Sequence, residues 1–153
     1  LNLTNLTIAS PDTGGVKKAR YLSGHLEKAD MVICYKHRSE ANKVDEMILI
    51  GDVTGKDVVI VDDIIDTGGT ICRAADLMMD KGAKSVRAVI THPIMSGDAY
   101  ENIEKCKLIE LIVTDTIPLK KKSSKITVLS VAKLVSLAIE NTVDNESLSE
   151  LFI

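Results

Sequence analysis

The chain has 153 residues, 45% of them hydrophobic and 27% charged, which suits one soluble domain with room for a sizeable core. A formal net charge of −3 and the lack of a basic stripe interleaved with aromatics exclude a nucleic-acid surface. With one Phe, three Tyr and no Trp, the core must be aliphatic, the palette of a parallel sheet flanked by helices.

Thr7 to Ser10 predicts a short buried strand, and Pro11 to Gly15 breaks it before Val16 to Leu26, where Val16, Ala19, Leu22 and Leu26 mark one helical face. Met31 to Tyr35 is a second apolar run. The polar stretch Lys36 to Lys43 after it has no hydrophobic period and reads as a mobile loop. Met47 to Ile50 and Val58 to Val61 are strand-like, and Gly51 to Lys56 between them fits a hairpin or a bent connection. Ile71, Ala74, Ala75, Met78 and Met79 share a helical face, with Thr70 placed to cap its start and Gly82 its end. Val86 to Ile90 and Leu111 to Thr114 read as strands joined through a helix over Asp98 to Lys105. The alternation implies a parallel sheet. Lys120 to Lys125 is a solvated loop, Ile126 to Leu129 one more strand. Val131, Leu134, Val135, Ala138 and Ile139 form a last apolar stripe capped by Ser130.

Cys34, Cys72 and Cys106 are odd in number and widely spaced, which argues for buried thiols in a reducing compartment rather than a disulfide framework or zinc site. No apolar run approaches the roughly 18–20 residues that cross a bilayer. Leu1-Asn2-Leu3-Thr4 is no signal peptide, so a cytoplasmic chain without membrane contact is expected. The initial Leu, with a strand so close behind it, suggests a piece of a longer chain.

The chemistry concentrates in Val58 to Thr70. A buried strand runs into Asp62 and Asp63, then into Asp66-Thr67-Gly68-Gly69-Thr70 at a helix start. In an open parallel sheet, ligands sit beyond the carboxyl ends of the strands, and the free N–H groups of a helix N-terminus favour an anion there. Gly68 and Gly69 allow close approach of the backbone, and Thr67 and Thr70 add hydroxyls. The spacing of a Walker A loop and its lysine are missing, so a monophosphate fits better than a polyphosphate. Asp62 and Asp63 would repel a bare phosphate. They suit hydrogen bonds from sugar hydroxyls or a magnesium ion, and together these features indicate a sugar phosphate. Taken singly, each residue is common at a strand end or turn; the complete pattern is what points to a ligand.

Asp62-Asp63-x-x-Asp66-Thr67-Gly68-Gly69-Thr70 resembles the phosphoribosyl-diphosphate loop of phosphoribosyltransferases and ribose-phosphate pyrophosphokinases. Ser10-Pro11-Asp12-x-Gly14-Gly15, Thr91-His92-Pro93-Ile94-x-Ser96-Gly97, Asp115-Thr116-Ile117-Pro118 and Asn145 to Phe152 all resemble the pyrophosphokinases, specifically their C-terminal domain. The resemblance implies a three-layer α/β fold of the type I phosphoribosyltransferase kind over residues 1–153, without the family's N-terminal ATP-binding domain. It implies transfer of diphosphate from Mg-ATP to ribose 5-phosphate by the full-length parent, with Mg2+ as cofactor, and little or no turnover by this chain alone. By match of motif, Asp62 would bind the ribose hydroxyls with Asp63 assisting, and Asp66, Thr67, Gly68, Gly69 and Thr70 would wrap the 5-phosphate. Asp12 would be a magnesium ligand. Lys36 and Arg38, in Tyr35 to Asn42, would be the mobile catalytic cations, Arg38 also meeting the ribose 5-phosphate. Ser147, Ser149 and Phe152 match a tail that contributes to an effector pocket for phosphate or nucleotides. Most ATP contacts would come from the other domain, and the full-length protein would be a homo-oligomer. His92 is expected to be structural, with His25 and His37 weaker candidates still. A base-consuming phosphoribosyltransferase would need a hood over the base, which is not found, and a noncatalytic synthetase-associated partner is the other rival.

Overall fold

The computed structural model describes residues 3, 5–26, 29–37 and 46–152. Among the described residues seven strands form one sheet: β1 (Leu6–Ser10), β2 (Asp30–His37), β3 (Glu46–Ile50), β4 (Asp57–Ile65), β5 (Ser85–Pro93), β6 (Glu110–Thr114) and β7 (Ile126–Leu129), in the order β3-β2-β1-β4-β5-β6-β7. All neighbours pair in parallel except β2 and β3, which are antiparallel. The helices are α1 (Val16–His25), α2 (Gly69–Asp80), α3 (Ala99–Lys105) and α4 (Ala132–Val143), with a short 3-10 turn at Ser149–Leu151.

Alternation along β4 explains the layers. Val59 and Val61 face α1 with Ile8 and Ala19, whereas Val58 and Ile60 join the larger core under α2 and α3 with Met78, Ile90 and Ile103. The central strands are thus covered on both faces, as their continuous apolar runs require. All three cysteines are buried and free, as expected.

The strand and helix expectations hold for type and place, with three corrections and one open alternative decided. β2 runs on through Lys36 and His37, because Lys36 pairs with Met47 and His37 with Glu46. Lys36 therefore stands on a strand, not in a loop. β2 and β3 pair antiparallel, and of the two alternatives Gly51 to Lys56 is the bent connection, carrying the chain across to β4 on the other side of β1. Thr70 lies inside the first turn of α2 rather than capping it, since Gly68, at φ 76°, is the N-cap. Gly82 does end that helix. At φ 89° it donates to the Met79 carbonyl while Ala83 donates to Met78, satisfying carbonyls of the last turn. Finally, Val131 rather than Ser130 is the N-cap of α4, whose apolar stripe has no buried residue. Ser130 accepts a hydrogen bond from the Ala132 amide at 3.2 Å, one position before the N-cap Val131.

Candidate functional site

From β1 the chain proceeds outward to β2, and from β4 outward to β5 in the other direction, so β1 and β4 flank the point where the strand order reverses. Loops diverge there, and a crevice opens beyond the strand ends. A cavity of about 230 Å³ occupies this place, lined by Asp12 from the loop after β1, by Asp62 from β4, and by the run from Ile64 to Ile71. Asp12, Asp62, Asp66, Thr67, Gly68, Gly69 and Thr70 thus meet in one cavity, whereas Asp63, the alternate residue on the strand, does not line it.

The turn is held from several sides. Gly68 adopts the left-handed conformation, a Cβ there carrying an energetic cost, and turns the chain directly into α2. The first N–H groups of a helix have no intrahelical acceptor, and Gly69, Thr70 and Ile71, which open α2, line the cavity. Ser96 donates through its hydroxyl to the Asp66 carboxylate and through its amide to the Asp66 carbonyl, the latter at 3.1 Å. Asn102 on α3 donates to the Thr67 carbonyl at 2.9 Å. Ser96 falls in a motif quoted for the family resemblance, but its contact with Asp66 spans 30 residues and has no local signature. Asn102 carries no sequence signal of its own.

Lys36 reaches from β2 to the start of α2, where Nζ donates to Thr70 Oγ1 at 2.8 Å. It is brought to the turn; Arg38, its companion in sequence, lies outside the described residues. Lys18 on α1 is a cation that sequence reasoning missed. Its Nζ lies 2.6 Å from Asp63 Oδ2 and 3.7 Å from Asp62 Oδ1. The one available signal was its place in the first turn of a helix that follows the Asp12 loop, hence at the same end of the sheet.

This ion pair splits the two carboxylates. Lys18, and then the hydrogen bond with Asp62, hold Asp63 down at about 2. Asp62 goes the other way, raised above the ordinary carboxylate value chiefly by burial, although it accepts the Asp63 amide at 2.9 Å. Asp12 accepts the amides of Gly14 and Gly15 through one oxygen, at 2.8 and 3.1 Å, which fixes its carboxylate at the cavity rim. Among the described residues no three His, Cys, Asp or Glu side chains gather as a metal cage. A single carboxylate such as Asp12 would suit a magnesium ion that keeps most of its waters rather than an all-protein cage.

His92 Nδ1 lies 2.9 Å from Thr116 Oγ1, and Thr116 itself donates to the Thr91 carbonyl at 3.0 Å, which ties β5 to the loop after β6. His25 Nδ1 donates to the Tyr21 carbonyl at 2.8 Å. The tail is elsewhere: Ser147 and Ser149 share a hydroxyl–hydroxyl hydrogen bond of 3.0 Å, Phe152 is 75% exposed, and none of the three lines the cavity.

Residues 12–153 match the family model described as the phosphoribosyl synthetase-associated domain. The chain belongs to this family. The phosphoribosyl synthetase relatives include the ribose-phosphate pyrophosphokinases of Wolinella succinogenes, 54% identical over 99% of this chain and 49% of its own length, and of Campylobacter jejuni, 51% identical over 97% and 48%. The chain spans about half the length of the curated relatives it matches. A phosphoribosylpyrophosphate synthetase from Mycobacterium smegmatis superposes with a TM-score of 0.84 at 34% identity, over 92% of this chain and 46% of that one. An adenine phosphoribosyltransferase from Thermoanaerobacter pseudethanolicus, at 23% identity and a TM-score of 0.51 over 73% and 72% of the two chains, shares the fold. The mainly parallel, helix-flanked sheet is therefore the phosphoribosyltransferase-like architecture that the loop motif implies. Among the described residues no helix is long and apolar enough to cross a membrane.

Proposed function

We propose that this chain is the C-terminal, ribose 5-phosphate-binding half of a ribose-phosphate pyrophosphokinase, which transfers diphosphate from Mg-ATP to the anomeric hydroxyl of ribose 5-phosphate and releases AMP. The observation that carries the reading is the convergence of Asp12, Asp62 and the run Asp66 to Thr70 on one cavity at the reversal of strand order. In this reading the turn from Asp66 to Thr70 wraps the 5-phosphate, Asp62 accepts the ribose hydroxyls, and Asp63 assists from the strand. Asp12 holds Mg2+, which when bound neutralises developing charge on the transferred group. Lys36, already hydrogen-bonded to Thr70, and Arg38 supply cations to the nonbridging oxygens. Lys18 competes with the sugar for Asp62 and Asp63, so substrate entry exchanges this ion pair for hydroxyl contacts.

ATP is held mostly by the half of the relatives that this chain does not span. Ser147, Ser149 and Phe152 belong to an effector site for phosphate or nucleotides completed between subunits of a cytoplasmic homo-oligomer. The C-terminal placement is supported by the order of the matched motifs, from the Asp12 loop to the Asn145–Phe152 tail.

Titration with ribose 5-phosphate and magnesium, followed by amide NMR, tests the reading. The Thr67 to Thr70 signals should shift, and Asp62→Asn should lose the preference for ribose 5-phosphate over inorganic phosphate while keeping phosphate binding. Unmoved signals in a folded chain sink the proposal. The chain alone should release no AMP from Mg-ATP and ribose 5-phosphate; turnover at the rate of a complete enzyme contradicts the division of labour.

A further inference from the structure

The turn from Asp66 to Thr70 has a back as well as a cavity side. The β4–β5 ladder ends at Ile65 and Pro93, but the loop after β5 goes on donating to the chain beyond it. Ile94 and Met95 donate their amides to the Ile65 carbonyl at 2.9 and 3.2 Å, and Ser96 donates its own to the Asp66 carbonyl at 3.1 Å. Asn102 adds its side-chain amide to the Thr67 carbonyl at 2.9 Å. None of these donors lines the sugar-phosphate cavity, so the carbonyls of Ile65, Asp66 and Thr67 are drawn toward β5 and α3. In a planar trans peptide the C=O of one residue and the N–H of the next point in opposite directions. The amides of Asp66, Thr67 and Gly68 are thereby directed toward the cavity that these residues line, and among the described residues none of these amides has an acceptor.

The loop that supplies the donors carries a local cost. Met95 sits at φ 53°, a left-handed conformation that a side chain disfavours, yet that side chain is only 3% exposed in the core under α2 and α3. Its burial holds the reversal that sets two neighbouring amides on one carbonyl. Asp66 is the awkward member of the turn, a carboxylate lining a cavity that suits an anion. Ser96 meets it with a second bond, its hydroxyl donating to Asp66 Oδ1. Because Ser96 stands behind the turn, that oxygen is held at the wall, and the hydroxyl dipole takes up part of its charge.

We propose that Ser96 and Asn102 are positioning residues for the anion, which keep the amides of Asp66 to Gly68 aimed into the cavity and hold the Asp66 carboxylate off the bound phosphate. This role rests on the sugar-phosphate reading above and adds the residues that make the turn an anion receptor. Neither touches substrate; both act through the turn. A peptide of the turn that loses its donor behind is free to rotate, and each rotation exchanges an N–H in the cavity for a carbonyl oxygen that repels phosphate.

Isothermal titration of the folded chain with inorganic phosphate and with ribose 5-phosphate, magnesium present, tests this role. Ser96→Ala should weaken both ligands by the same factor, roughly tenfold, within the coupling range of residues in one hydrogen-bond network. Ser96→Thr keeps the hydroxyl and should restore most of the affinity. A purely structural role would lower the midpoint of a urea melt and leave the affinity of the folded chain untouched. In an Asp66→Asn background the Ser96→Ala change should cost clearly less, because the neutral side chain has no charge to hold back. Asn102→Leu, near in size but without a donor, should also weaken phosphate roughly tenfold and shift the Thr67 and Gly68 amide signals of the free chain. Unchanged phosphate affinity in one folded variant strikes that residue from the role, and in both it overturns the proposal. A Ser96→Ala penalty of equal size with and without the Asp66 charge overturns the electrostatic part. If the parent chain binds neither ligand, the sugar-phosphate reading falls and the positioning role with it.

Discussion

Asp62 and Asp63 are adjacent in β4 and chemically identical, yet their surroundings move them in opposite directions. Asp63 is held at about 2 by Lys18, against about 3.9 in an unfolded chain, so its contribution to stability is complete above pH 4 and is lost as pH falls to about 2. Lys18→Met should let the Asp63 carboxyl return towards its ordinary value, visible in a carboxyl-carbon NMR titration. Because the pair is solvent-exposed, the loss of stability at neutral pH should stay below about 1 kcal/mol and vanish in urea melts near pH 2. Asp62 has the opposite sign. Raised by burial, it binds its proton more readily folded than unfolded, so its protonation on acidification relieves a cost. Asp62→Asn should therefore raise stability at neutral pH, by about 0.5–1 kcal/mol in a urea melt, while costing the ribose contact.

Two helix ends, the start of α2 and the end of α3, each depend on a single residue. At the start of α2, Gly68 at φ 76° has room for a methyl group, its nearest neighbours lying at 3.7–3.8 Å, so Gly68→Ala is limited by backbone conformation rather than by collision. It should cost about 1–2 kcal/mol in denaturant unfolding and weaken phosphate binding, since the turn must distort to relieve the strain. At the end of α3, Lys125 donates to three carbonyls for which the helix supplies no amide donor. Lys125→Met keeps much of the aliphatic stem and removes these bonds, so about 2 kcal/mol should be lost, measured by thermal or urea unfolding.

At the scale of the molecule, stability resides in the sheet and its two covered faces. Ile60 is fully buried on the central strand β4, so Ile60→Ala should cost about 2–5 kcal/mol. Leu134, on a helix with no buried residue, should cost no more than about 0.5 kcal/mol when changed to Ala in this chain. Urea unfolding of both variants checks the contrast. The same architecture places the site: Asp12 and Asp62 meet beyond the ends of β1 and β4 because the outward connections of these strands run in opposite directions.

Local patterns made much of this legible. The apolar runs, the periodic face of α2, its terminal Gly82 and the acidic turn after β4 each depend on neighbours along the chain, where hydrophobic period and backbone conformation leave a direct mark. The loop motif likewise grouped Asp62 with the run Asp66 to Thr70, and these residues line one cavity. Contacts between distant segments had no such mark. The pairing of Lys36 with Met47 made a strand of an unpatterned stretch, and Lys18, Ser96 and Asn102 reached the site from separate elements. The exposure of the α4 stripe also belongs to packing, because periodicity tells which residues share a face but not what that face meets.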